Sequence, residues 1–142
     1  MLVFKEVNLP ISQGLLWELL TSSEYLSKWW NKDLMLEPFV GGRFCEPWVD
    51  EKGVHRLARG TVISLEVQKK ILFTWNECSW LPETYTLCAF EIEPYSRGSK
   101  FRVTHGEWEV LGDNASKTQK HFDRGWSALM DSLKAFAENM VS

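Results

Sequence analysis

Large apolar residues recur three and four apart between residues 122 and 137, where Phe122, Trp126, Leu129, Met130, Leu133, Phe136 and Ala137 fall on one side of a helix. So wide and aromatic a stripe needs a broad cover. Between residues 43 and 108 the pattern changes to the two-residue alternation of antiparallel strands, so a curved sheet is the cover the chain itself provides. A helix gripped by such a sheet encloses either a solid core or a cavity. Which of the two it encloses decides the function.

The rest of the chain fits around that pair. Leu2 to Leu9 is short, apolar and interrupted by polar groups, which predicts a first strand ended by Pro10. Leu15, Leu16, Leu19 and Leu20, with Trp17, keep helical spacing behind Pro10 or Ser12 as a start signal. Thr21-Ser22-Ser23-Glu24 has the order of a capping box with Thr21 as the cap, which predicts a second short helix running to about Trp30. Gly41-Gly42 breaks the chain before a strand at Arg43 to Val49, and Asp50-Glu51-Lys52-Gly53 reads as a hairpin turn. Another strand runs from about Val54 to Val67, turns at Gln68-Lys69-Lys70, and returns with Ile71, Phe73 and Trp75 on one face. Ser79 to Glu83 is a loop; Tyr85 to Glu93 then puts Cys88, Phe90 and Ile92 together. After a turn from Pro94 to Gly98, Phe101, Val103 and His105 share a face opposite Arg102 and Thr104. Gly112-Asp113-Asn114 closes this strand region, and Ser116-Lys117-Thr118-Gln119 is placed to cap the last helix. No linker or repeat divides the chain, so residues 1–142 read as one α+β domain, a curved antiparallel sheet of about six strands around a long terminal helix.

Composition narrows the function classes. With 44% hydrophobic and 25% charged residues the chain is an ordinary globular protein, and no apolar run approaches the ~20 residues of a membrane span. The start, Met1-Leu2-Val3-Phe4-Lys5-Glu6, lacks the basic stretch and apolar block of a secretory signal, so a cytoplasmic location without membrane insertion is expected. A net charge of −3, with Lys and Arg scattered, argues against nucleic acid as a partner. Cys45, Cys78 and Cys88 make an odd count without a C-x-x-C spacing and read as buried thiols. His55, His105 and His121 lie far apart, so no metal site is expected, and no glycine-rich phosphate or dinucleotide loop calls for a cofactor.

Eight tryptophans and eight phenylalanines change the picture most. Bulk in the core accounts for many of them, and a subset is the lining expected of a pocket for a flat apolar molecule. Trp30, Trp48, Trp75, Phe90, Phe101, Trp108, Trp126 and Met130 are the candidates for that lining, with His105 or Arg43 as a polar contact. His105 is the titratable group on the inward face, able to orient a ligand hydroxyl or carry a proton; its plainer reading is a hydrogen-bonded core histidine. His55, beside a turn, and His121, near a helix start, are expected at the surface. Glu46 shares a face with Phe44 and Trp48 and is either an inward acid or a charged strand end in solvent. No nucleophile elbow is present and no Ser or Cys is placed by a motif, so no catalytic residue is assigned beyond His105 as a candidate.

Trp17, Trp29-Trp30, Gly41-Gly42-Arg43-Phe44, Phe73-Thr74-Trp75, Val103-Thr104-His105, and Gly125-Trp126 followed by Leu129 and Leu133 come in an order that spans nearly the whole chain. In that order they resemble the homologues of the activator of the ninety-kilodalton heat-shock chaperone's ATPase, within the lipid-transfer and pollen-allergen-like (START/SRPBCC) superfamily. The resemblance implies a helix-grip fold with two short helices after the first strand, and a cavity between sheet and last helix that holds a hydrophobic small molecule; the candidate lining rests on it more than on spacing. It also implies two further possibilities, a regulator of a chaperone or another protein partner, for which Trp80 is an exposed candidate, and a polyketide cyclase-like enzyme with His105 as its base. The sequence has no separate amino-terminal domain of the kind that contacts the chaperone, so chaperone stimulation is not expected from it. A monomer and a homodimer fit the sequence equally. A small-molecule binding protein is the first expectation.

Overall fold

The two-residue alternation is carried through most fully in the strand Lys70–Glu77, where Ile71, Phe73, Trp75 and Glu77 are buried and their neighbours are not. In the computed structural model, which describes residues 2–141, the elements follow in the order β1 (Val3–Leu9), α1 (Gln13–Thr21), α2 (Ser23–Trp29), β2 (Met35–Leu36), β3 (Arg43–Val49), β4 (His55–Glu66), β5 (Lys70–Glu77), β6 (Thr86–Tyr95), β7 (Gly98–Gly106), a 3-10 helix (Trp108–Asn114) and α3 (Ala115–Met140). The strands form one sheet in the order β1-β7-β6-β5-β4-β3-β2, each neighbour antiparallel. Among the strand pairings, that of β1 with β7 joins the start of the chain to its later part and brings Val3 opposite His105.

This is the expected α+β helix-grip arrangement, with seven strands where about six were expected. The extra one is β2, two residues held by the register Met35↔Cys45 and Leu36↔Phe44, too short to produce a periodic signal. Three boundary expectations fail as well. The Thr21 hydroxyl donates to the Trp17 carbonyl at 2.7 Å, so Thr21 closes α1 and does not cap α2. Ser22 fills both boundary positions without a side-chain bond. The strand region ends at Gly106, because Glu107 turns at φ 67° and Trp108 opens a 3-10 helix; α3 then begins at Ala115 behind Asn114 with no side-chain cap, and Ser116 lies inside it. Ser12 does cap α1, its hydroxyl accepting from the Leu15 amide at 3.1 Å.

The α3 stripe lies against the sheet as the spacing predicts. Trp126, Met130, Leu133 and Ala137 are buried, and Phe122, Leu129 and Phe136 are packed at the margin. Around them the rings of Phe44, Phe73, Phe90 and Phe101 interlock, Phe73 with Phe90 and Phe90 with Phe101 edge-to-face at 5.2 Å. Across β4 and β5 the backbones come so close that a Cβ on Gly60 would stand 1.7 Å from the Thr74 carbonyl oxygen. The cysteines do not share one environment: Cys88 is buried, Cys45 is half-buried and Cys78, just past β5, is exposed, so the expectation of buried thiols holds for Cys88 alone. Among the described residues no helix is long and apolar enough to cross a membrane.

Candidate functional site

Where α3 leaves β3 and β5, a cavity of about 170 Å³ remains between them. Alternation along β3 turns Phe44, Glu46 and Trp48 inward, and along β5 it turns Phe73, Trp75 and Glu77 the same way. Phe44 and Phe73 fill the deep end with ring centroids 4.9 Å apart, so Glu46, Trp48, Trp75 and Glu77 line the open end. From α3 come His121, Phe122, Gly125, Trp126 and Leu129, three and four apart on one helical face. β4 runs between the two wall strands, and its inward residue there is Ala58, in register with Glu46 on one side and Glu77 on the other. The two glutamates therefore flank a methyl group, their backbones two strand spacings or about 10 Å apart.

Each carboxyl group is held by indole N–H donors. Trp30 Nε1 donates to Glu46 Oε2 at 2.9 Å, while Trp48 Nε1 and Trp75 Nε1 donate to Glu77 Oε1 and Oε2 at 3.0 and 2.8 Å. Burial pushes the Glu46 carboxyl up to about 7, against the lowering effect of the Trp30 bond and with help from the charge of Glu77. Glu77, 5% exposed, is also raised by burial, opposed first by its two indole bonds and then by the positive charges of His121 and Arg56. Among the described residues no Lys, Arg or His nitrogen comes within 4.0 Å of either carboxyl group. In direct contact, a charge at either site is met by neutral donors, with His121 and Arg56 acting on Glu77 from further away.

Beneath the cavity, His105 joins two of its walls. Trp126 Nε1, which can only donate, binds His105 Nδ1 at 3.1 Å, so the ring proton sits on Nε2 and is given to Thr86 Oγ1 at 2.8 Å. Thr86 passes its own proton to the Trp75 carbonyl at 3.2 Å. With 0% exposure, burial holds the imidazole down to about 3, a neutral ring across the physiological range. Both nitrogens are engaged. His105 thus has no lone pair left for a ligand.

A family model described as "Activator of Hsp90 ATPase homolog 1-like protein" matches residues 10–138. The chain belongs to this family. No curated protein matches it. Among solved structures it is similar to a crystal structure of a Mesorhizobium loti protein, with TM-score 0.79 and 20% identity over 98% of both chains. It is also similar to the solution structure of the Aha1 dimer from Colwellia psychrerythraea, with TM-score 0.74 and 22% identity over 97% of this chain and 96% of that one. A third likeness is to DynU16, a protein of the dynemicin biosynthetic locus, with TM-score 0.69 and 14% identity, over 96% of this chain and 48% of DynU16. At these identities the likeness is one of fold.

Within this member of the family, the structure brings together part of the lining read from sequence. Trp48, Trp75 and Trp126 are on the cavity wall, and Trp30 reaches it through the bond to Glu46. Phe90, Phe101, Trp108 and Met130 are buried in packed core away from the wall, and His105 lies behind Trp75 and Trp126. Arg43 is exposed, paired with Glu37 at 3.0 Å, and outside the cavity. Glu46 takes the inward of its two alternatives. Glu77, Phe122, Gly125, Leu129 and His121 join the wall without having been read as site residues, although His121 is exposed as expected. For Glu77 a signal existed: it continues the inward series Ile71, Phe73, Trp75 by two more residues.

Proposed function

We propose that this protein binds a small molecule, holding one flat, ring-sized apolar group between β3, β5 and α3. The observation that carries the reading is the aromatic-walled cavity of about 170 Å³ at the place where the long helix lies on the sheet. An apolar cavity of roughly 150 Å³ is enough to accept benzene, whereas drug-sized ligands occupy roughly 300–1,000 Å³. The guest, or the part of it that is enclosed, is therefore about one ring with a short substituent. Membership of the family is compatible with this role and does not by itself supply a ligand.

The test is a thermal-shift and tryptophan-fluorescence titration with benzyl alcohol and with palmitate, on the wild type and on Leu129→Trp, which places an indole in the cavity. Benzyl alcohol is expected to raise the melting temperature of the wild type and not of the variant. Palmitate is too long to be enclosed and is expected to do less. A wild type indifferent to benzyl alcohol at millimolar concentration, or a variant that responds equally, sinks the proposal.

Acid–base chemistry in the same cavity is a second reading, favoured by Glu46, whose carboxyl is pushed up to about 7 at the open end of the cavity. It moves the role considered for His105 to Glu46. Its mark would be an activity that Glu46→Gln abolishes while ligand binding survives; an activity untouched by that replacement removes the assignment.

A further inference from the structure

The cavity combines two things that are seldom found together without a reason. Its walls are rings, with Trp75 and Phe122 edge-to-face at 5.5 Å and Trp75 and Trp126 at 5.9 Å, and its rim carries two acids that, among the described residues, no protein cation touches. Buried carboxylates normally pair with Lys or Arg. Here the nearest arginine on the neighbouring strand, Arg56, is taken by Asp50 at 3.1 Å, and His121 presents its ring towards Trp48 at 6.3 Å. The donors that do reach the acids are neutral: Trp30 for Glu46, and Trp48 and Trp75 for Glu77. Such donors fix the carboxyl groups in place and leave acceptor sites on each group unused, since an ionised carboxyl offers about four.

Register explains why both acids can serve one guest. Glu46 on β3 and Glu77 on β5 stand on either side of Ala58 of β4, with no bulk between them, and they are close enough for the charge on Glu77 to act on Glu46. Indole and phenyl faces attract cations through the ring quadrupole, and desolvation strengthens the attraction. We propose that the cavity takes a small organic ammonium ion, its ring or alkyl part among Trp48, Trp75, Phe122 and Trp126 and its charged nitrogen between Glu46 and Glu77. This rests on the ligand-binding reading above and adds the charge class of the guest. Burial drives both acids towards their neutral form, and a cation between them favours the charged form.

The experiment compares benzylamine, a cation at pH 7.5, with its neutral isostere benzyl alcohol and with benzoate, by calorimetric titration of the wild-type protein. Benzylamine is expected to bind at least about tenfold tighter than benzyl alcohol, and benzoate not at all. In Glu46→Gln and Glu77→Gln the benzylamine preference is expected to shrink several-fold while benzyl alcohol binding persists. The comparison on the wild type needs no variant, so a poorly folding variant does not decide the matter. Equal binding of benzylamine and benzyl alcohol overturns the cation assignment and leaves the cavity a neutral-ligand site. Binding of neither overturns the ligand-binding reading itself.

Discussion

Replacing Glu46 by Gln should make the protein more stable in mild alkali and leave it little changed in acid. In the unfolded chain Glu46 loses its proton near the ordinary glutamate value of 4.5, whereas in the fold it keeps it up to about 7. Between those values the unfolded state binds fewer protons than the native one, so this carboxyl group lowers stability as pH rises from 4.5 to 7. Two and a half pH units correspond to at most about 3 kcal/mol. Access of water through the cavity mouth reduces this to about 1–2 kcal/mol. Gln keeps an oxygen for Trp30 Nε1 and has no proton to lose. Its advantage should therefore be near zero at pH 4.5 and reach about 1–2 kcal/mol at pH 8, or about 3–8 °C in melting temperature for a chain of 142 residues. His105 acts in the opposite sense, because its folded value of about 3 lies below the unfolded 6.5 and stability is lost as pH falls below 6.5. In the wild type the two slopes oppose each other between pH 4.5 and 6.5 and should leave a plateau. The Gln variant should rise more steeply than the wild type up to pH 6.5, because the histidine slope is then opposed by the raised Glu77 carboxyl without Glu46. Urea denaturation followed by tryptophan fluorescence from pH 4 to 8.5 reads both curves; curves for wild type and variant that run parallel throughout would refute the reasoning.

Three further outcomes are expected. His105→Phe leaves the Trp126 indole and the Thr86 hydroxyl without their shared partner and should cost about 2–5 kcal/mol, measured by denaturation at pH 7.5; a loss under 1 kcal/mol would mean that the imidazole is not what holds these groups. Gly60→Ala drives a Cβ to 1.7 Å from the Thr74 oxygen, a backbone atom that can yield only by parting β4 from β5, so a loss of about 3 kcal/mol should appear in the same assay. At Gly125, inside α3, an added Cβ meets nothing within 4 Å, so Gly125→Ala should gain about 0.5–1 kcal/mol from helix propensity, and Gly125→Leu, reaching over the cavity, should weaken benzyl alcohol binding without unfolding the protein.

The fold was legible because its two periodicities are clean. Ile71, Phe73 and Trp75 alternate without interruption, and the α3 stripe repeats over four turns, so sheet and helix could be assigned and then fitted to each other. β2 was not legible, since two residues have no period. Nor were the caps, because Thr21 found the Trp17 carbonyl within its own helix, a competing local bond that residue order does not reveal. The site was legible in its rings and not in its acids. Trp48, Trp75 and Trp126 followed from alternation and spacing, while an inward glutamate is costly unless donors meet it. Those donors come from Trp30, 16 residues before Glu46, and from Trp48, 29 residues before Glu77. His105 was correctly placed on the inward face; its partners Thr86 and Trp126, 19 and 21 residues away, are what make it a buried connector.

That connector divides the pocket into a keel and a gunwale. Through one imidazole the attitudes of Trp126 and the β5 backbone at Trp75 are set before any guest arrives, so the keel loses little freedom when it is occupied. The gunwale, made by Glu46, Glu77 and the exposed His121, has no bond to that imidazole and joins the keel through the Trp75 indole, which donates to Glu77. Exchanging its acids for their amides, which keep an oxygen for the indole donors, would alter which visitor is welcome and leave the imidazole link as it was.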